Sequence, residues 1–283
     1  TPETLAIMAL RYRTGVEDEH GEMPSKATPV GYGETIRLAG GVDATFIPAG
    51  HVLGSAQILF EHAGERVVIT GDYKRRRDPT CRPFEPVPDT HVFISEATFG
   101  LPVFKHPDTD GEIRKLLDSV AMFPERTHLV GVYALGKAQR VIKLLREAGY
   151  HDTLYIHGAL EKLCKLYEEH GVALGPLETA TLDSKERGAQ ERFRGKIVLG
   201  PPSSFHDKWG RRFPDPLPCF ASGWMSVRQR AKQSGVELPL IISDHADWDE
   251  LTDTVREVDP EELWITHGRE DALVRWAELE GRK

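Results

Sequence analysis

The chain has 283 residues, 40% of them hydrophobic and 28% charged, with a formal net charge of −8. This is the make-up of a globular protein with a sizeable core, and it excludes collagen-like, mucin-like and fully disordered classes. No apolar run approaches the ~20 residues of a bilayer span and no signal-like segment opens the sequence, so no membrane partner is expected and the cytoplasm is the expected compartment.

The first residues, TPETLAIMALRYR, start a helix, with Thr1 as cap and Pro2 at the first helical position. A start without methionine that enters a helix at once reads as the interior of a longer reading frame. From about 33 to 99, short apolar bursts (ETIRLA, VDATFIPA, AQILFEH, RVVITGD, HVFISEA) alternate with glycine and proline turns, which predicts a β-meander or half of a sandwich. From about 108 the texture changes to helical spacing in DTDGEIRKLLDSVAMF, LGKAQRVIKLLREAG and ALEKLCKLYEEHG. These are interleaved with the strand-like THLVGVYA, TLYIHG and GKIVLG, so the pattern predicts a parallel sheet with crossover helices.

Residues 176–195 read as a loop with a short helix, and 200–218 as a Pro-, Gly- and charge-rich connection. After 236 the strand–helix pattern returns. The expected division is a body at 1–104, an α/β insertion at 105–224 and a return to the body at 225–283. Cys81, Cys164 and Cys219 are far apart and odd in number, which predicts reduced thiols rather than a disulfide framework.

Five polar residues stand where apolar runs end: His51 in FIPAGHVLGSA, Asp72 in VVITGDYKRRR, Glu96 in VFISEATFG, His245 in PLIISDHADWDEL and His267 in LWITHGRED. Small neighbours such as Gly50, Gly71, Ala97 and Gly268 would let a ligand come close to the backbone. Histidine with carboxylate is the ligand set of zinc or manganese. Taken singly, Asp72 after a strand is more often a tight-turn residue than a ligand, and the same holds for His51 as an ordinary loop histidine. Asp247 with Glu250 forms a D-x-x-E capping pair.

In their order, PAGHVLGSA, ITGDY, SEATFG, ISDHADW and ITHGRED resemble the motifs of metallo-β-lactamase fold nucleases that carry a β-CASP insertion. YALGKAQRVIKLL and FASGWMSVR look most like the bacterial ligase-associated DNA exonucleases, often labelled mRNA 3′-end processing exonucleases. The resemblance covers nearly the whole chain. It implies an α/β fold, a partial αββα sandwich with an inserted β-CASP domain of parallel sheet and flanking helices. It implies a nuclease, an exonuclease by analogy, holding two divalent ions, zinc or manganese. His51, Asp72 and His267 would be metal ligands, with Asp72 bridging and catalytic. Glu96 would orient His245, the general acid or phosphate contact. Partners would be single-stranded nucleic acid and, by analogy, a DNA ligase or helicase.

The family's H-x-H-x-D-H motif is not in this sequence, in which none of the 12 histidines lies two residues from another. The resemblance therefore implies a chain that starts after that motif and stops before the last strands of the body. Three scattered donors would bind metal weakly, so a non-catalytic nucleic-acid-binding or scaffold role is the alternative. For substrate contacts, Lys74, Arg75 and Arg76 follow Asp72 directly, and are either phosphate contacts or a solvated turn. Lys137 and Gln139 open a helix after a strand, where anions are welcome. Arg228, which closes FASGWMSVR, completes the candidate nucleic-acid contacts. FHDKWGRRF at 205–213 is either a base-stacking loop or an aromatic-anchored one.

Overall fold

The computed structural model describes residues 1–12, 27–181, 188–205 and 207–283. The chain divides into two units, one of Thr1–Lys105 with Asp244–Lys283 and the other of His106–Ser243. In the first unit run α1 (Pro2–Tyr12), β1 (Thr35–Arg37), β2 (Asp43–Pro48), β3 (Ala56–His62), β4 (Glu65–Ile69) and β5 (Val92–Ala97). The second unit follows with α2 (Thr109–Met122), β6 (Thr127–Gly131), α3 (Lys137–Glu147), β7 (Leu154–Ile156), α4 (Gly158–Glu169) and β8 (Leu177–Thr179). It continues with β9 (Ile197–Gly200), β10 (Pro216–Ala221), α5 (Arg228–Gln233) and β11 (Leu238–Leu240). The chain then returns to the first unit through α6 (Trp248–Val258), β12 (Glu262–Gly268) and α7 (Glu270–Leu279). Among the described residues no helix is long and apolar enough to cross a membrane.

The first unit is built on a six-stranded mixed sheet of order β1-β2-β3-β4-β5-β12. The meander expected between 33 and 99 is present: β1 to β4 pair antiparallel, after which β5 and β12 join in parallel. Because β2 and β4 are each antiparallel to β3, they run the same way, and β5 and β12 run with them. The carboxyl ends of β2, β4, β5 and β12 therefore share one edge of the sheet, where an α/β layer delivers ligand-binding groups. The sheet is held by Phe93 and Val68, both fully buried, together with Leu59, Val87 and Val258. Burial of each such side chain contributes about 2 kcal/mol. Beneath the carboxyl edge a second cluster joins Ala49, Tyr73, Ala97, Ala246, Leu251 and Leu273.

α1 begins as the sequence predicts, with Thr4 N donating to Thr1 Oγ1 at 3.2 Å. Asp247 caps α6: its side chain accepts from Glu250 N while Glu250 reaches back to Asp247 N, both at 3.0 Å. A cap of this kind stabilises a helix by about 1 kcal/mol.

The second unit carries a parallel sheet of order β11-β10-β6-β9-β7-β8 with α2, α3 and α4 among its crossovers. Its extent corrects the expected return to the body at 225. Residues 225–243 stay in the second unit because β11 pairs with β10, Cys219 against Leu238 and Ala221 against Leu240. Two strands lie where loops were expected. β8 falls inside 176–195 and is short. β10 contains Pro216 and Pro218, which lack the N–H of an ordinary strand. The prolines are tolerated because Glu237 N donates to Pro218 O, so that residue faces β11, and pairing with β11 starts only at Cys219. FHDKWGRRF is an aromatic anchor: Phe213 is buried, and Phe205 and Trp209 pack on the core of Leu129, Phe193 and Val198.

His128 is fully buried in β6, its Nε2 paired at 2.8 Å with Ser119 Oγ. Burial, and then the charge of Arg126, hold its pKa below the ordinary histidine value of 6.5. The neutral ring is the folded form, whereas an unfolded chain protonates this histidine below its ordinary pKa. Stability from His128 is thus complete above that pH and is lost as pH falls through it. Urea midpoints measured from pH 8 to pH 5 should fall more steeply for the wild type than for H128Q. Parallel slopes would show that His128 does not contribute to acid sensitivity.

Candidate functional site

The carboxyl edge of the first sheet gathers four of the five singled-out side chains. His51 lies in the turn between β2 and β3. Ser55 builds that turn, its Oγ accepting from His51 N and Val52 N, each at 3.1 Å, while Ser55 O accepts from Tyr32 Oη at 2.8 Å. The turn also needs Gly50, whose φ is +72°: a Cβ there would sit 2.4 Å from Lys74 O and 2.9 Å from Phe84 N. Only glycine lets the His51 turn lie against the segment that carries Asp72, and Lys74 N donates to Ala49 O across that contact at 3.0 Å.

His51 Nδ1 lies 3.0 Å from Asp244 O. A carbonyl only accepts, so Nδ1 carries a proton, and in the neutral ring Nε2 is the nitrogen with the lone pair. Nε2 is 3.8 Å from Asp72 Oδ2. The His51 and His245 rings lie with centroids 4.7 Å apart, and His51, Asp72 and His245 each offer a donor atom within 4.8 Å of the others.

Behind His245 stands Glu96, only 1% exposed at the end of β5. Both Glu96 oxygens are 3.1 Å from His245 Nδ1, and the carboxylate also accepts from Tyr73 N at 2.9 Å and Thr98 N at 3.2 Å. Burial alone would raise the Glu96 pKa; the His245 hydrogen bond and charge, with the Thr98 and Tyr73 donors, bring it below the ordinary carboxylate value. Burial likewise lowers the His245 pKa, and Glu96, with smaller help from Asp72 and Asp244, raises it above the ordinary value. The result is a carboxylate-fixed imidazole beside a second histidine and a half-exposed aspartate.

His267 does not join this group among the described residues. It ends β12, where Ile265 pairs with Ser95 and Gly268 with Ala97, so β12 carries one more residue than β5 over this span. That bulge puts His267 at φ +57°, with its side chain in solvent. Gly268 makes the contact possible, since a Cβ there would meet Ala97 O at 2.1 Å. Of the expected metal ligands, His51 and Asp72 are therefore brought together, with His245 rather than His267 beside them.

The expected nucleic-acid contacts are mostly committed elsewhere. Lys74 is buried. Arg75 donates to Glu257 Oε2 at 2.5 Å and lies over the Phe84 ring. Arg76 donates to Asp247 Oδ2 at 2.7 Å. Lys137 is buried with Nζ on Ile242 O at 2.6 Å, and Gln139 is buried with Nε2 on Ala134 O at 3.0 Å. Lys137 and Gln139 begin α3 as expected, but α3 is covered on most of its surface, which takes them away from solvent. Arg228 alone of the six is exposed. The roles of Ser55 and of the Asp244 carbonyl were not read from the sequence; the serine four residues after His51 was the available signal, whereas a backbone acceptor leaves none.

Comparison with known proteins adds ancestry to this geometry. The chain is 30% identical over 263 residues, 87% of its own length, to a protein of Opitutus terrae named "Probable DNA ligase", of which it spans 24%. It is 35% identical over 133 residues to "Cleavage and polyadenylation specificity factor subunit 3" of Dictyostelium discoideum, covering 44% of this chain and 17% of that protein. It is 36% identical over 124 residues to "Endoribonuclease YSH1" of Saccharomyces cerevisiae, covering 43% of this chain and 16% of that one. These relatives are consistent with the metallo-β-lactamase/β-CASP group that the motifs resemble. No family model matches it. A crystal structure titled as a protein of unknown function from Enterococcus faecalis V583 shares the fold, with TM-score 0.61 at 11% identity over 94% of this chain and 68% of that one. The chain thus spans less than a quarter of the group members that it matches by sequence.

His51 Nε2 and an Asp72 oxygen are close enough to share one divalent ion, with His245 beside them and held by Glu96. Calorimetric titration with zinc should find affinity reduced more than about 10-fold by H51A and by D72N, and unchanged by H267A. Equal losses for all three variants would return His267 to the ligand set.

Proposed function

We propose that the chain is the site-bearing part of a metal-dependent nuclease that hydrolyses phosphodiester bonds of DNA or RNA, acting as an exonuclease on single strands. In this reading its fold is a partial metallo-β-lactamase αββα sandwich with residues 106–243 as the β-CASP insertion. The observation that carries the proposal is the Glu96–His245 pair, 3.1 Å apart and held beside His51 and Asp72. The ligase name of one relative and the endoribonuclease name of another support nucleic acid as the partner, with a DNA ligase as an associated protein.

Zinc or manganese would be held by His51 Nε2 and an Asp72 oxygen. When bound, such an ion supplies Lewis acidity and a water of lowered pKa. The chain's own groups do the rest. The Asp244 carbonyl fixes the His51 tautomer, so the lone pair faces Asp72. Glu96 fixes the His245 tautomer and favours its protonated form, so Nε2 presents a proton to the leaving oxygen near neutral pH. Asp72 and His245 offer atoms within 4.8 Å of each other, so a phosphate held at Asp72 would lie within reach of the His245 proton. A second reading, a binding or scaffold protein without turnover, is favoured by the limited set of three donors. It predicts strand binding with steep salt dependence and no chelator-sensitive cleavage.

The test is cleavage of end-labelled single strands by this chain, and by a longer protein containing it, with zinc or manganese. Cleavage abolished by a chelator is expected. H245A should lower kcat by about 10²- to 10⁴-fold with KM and zinc affinity kept. No cleavage with metal bound would overturn the nuclease reading. Loss of zinc affinity in H245A would make that histidine a ligand rather than the proton donor.

A further inference from the structure

We infer that Arg76 is a positioning residue for the proposed hydrolysis rather than a phosphate contact, an inference that rests on the nuclease reading above. The basic run KRRR follows Asp72 directly, yet its third member points into the protein's own framework. Arg76 Nη2 donates to Asp247 Oδ2 at 2.7 Å, Nε lies 3.9 Å from Glu250 Oε1, and Arg76 N donates to that same Glu250 oxygen at 2.7 Å. Asp247 is fully buried and stands two residues after His245, while Arg76 stands four after Asp72. Between the two segments Ala246 N donates to Tyr73 O at 2.7 Å.

The segment of Asp72 and the segment of His245 are therefore joined by the Ala246–Tyr73 main-chain bond, by Glu96, which takes Tyr73 N and His245 Nδ1, and by Arg76 on the cap of α6. A buried carboxylate is costly unless a cation or several donors face it. Asp247 has its cap donor from Glu250 N and the Arg76 guanidinium. Removing Arg76 takes a cation from Asp247 and leaves the two segments joined only by the Ala246–Tyr73 bond and by Glu96, with the cap end of the join released. The Asp72–His245 spacing then loosens without any loss of a group that faces the hollow. Arginine is required rather than lysine, because its flat fork addresses Asp247 and Glu250 at once.

R76Q, R76K and D247N test this with three readouts: ring nitrogen correlations of His51 and His245 by NMR, strand affinity with its salt dependence, and kcat against KM. Expected for R76Q are shifted ring signals for both histidines and a kcat lowered about 10- to 100-fold. Strand affinity should stay within about 2-fold and its salt slope should not change. R76K should recover only part of the loss, and R76Q combined with D247N should be no worse than R76Q alone. Unchanged ring signals would overturn the inference. So would an R76Q with full kcat, weaker strand binding and a salt slope smaller by about one contact, which is the signature of a phosphate ligand. If R76Q does not fold, R76K and D247N carry the same NMR comparison. If no variant or wild type cleaves, the nuclease reading fails alone, and the ring signals still decide whether Arg76 sets the spacing.

Discussion

A carboxylate taken out of water must be surrounded by donors, and Glu96 draws those donors from three separate stretches of chain. Tyr73 N comes from the segment after β4, Thr98 N from the exit of β5, and His245 Nδ1 from the approach to α6. An unpaired ionised carboxylate here would cost several kcal/mol, a large share of the stability of a domain of this size. The donors offset that cost only when all three stretches are in place. Satisfying Glu96 and assembling the site are thus one event. The raised pKa of His245 is the other side of the same contact, because the charge that stabilises the imidazolium is the charge that the imidazolium stabilises.

Topology then decides which residues can take part. The strand directions place the ends of β2, β4, β5 and β12 on one sheet edge, so His51, Asp72 and Glu96, far apart in sequence, arrive as neighbours. Around them the contacts are short-range and mostly main chain: Lys74 with Ala49, Ala246 with Tyr73, and Arg269 with Ala97. Side-chain charge adds to this framework through Arg75 on Glu257 and Arg76 on Asp247. Within the basic run beside the site, the Arg75 and Arg76 guanidinium groups are directed at α6 and its cap.

Much of this was legible in the sequence. Five polar groups at the ends of apolar runs stood out together, and four of them, His51, Asp72, Glu96 and His245, lie side by side in the fold. The D-x-x-E pair of Asp247 and Glu250 was readable as a cap, and it is one. Three features were not readable, each because a three-dimensional fact overrode local pattern. The β12 bulge re-aims His267, and a bulge depends on pairing with β5 that spacing along one strand does not reveal. Pro216 and Pro218 hid β10, whose tolerance of them follows from where β11 begins to pair. Lys137 and Gln139 began a helix as expected, but the packing of α3, set by residues far away, buried them.

The missing Cβ of Gly50 has a consequence for metal choice. Because the His51 turn rests on the carbonyl of Lys74, the backbone that carries the imidazole is held against the segment that carries Asp72, and the ring is tied down by Asp244 O. Asp72, with 39% of its side chain exposed, is the adjustable jaw. Ions of unequal radius would be gripped by a swing of the aspartate alone, leaving discrimination among them to a single carboxylate rotamer.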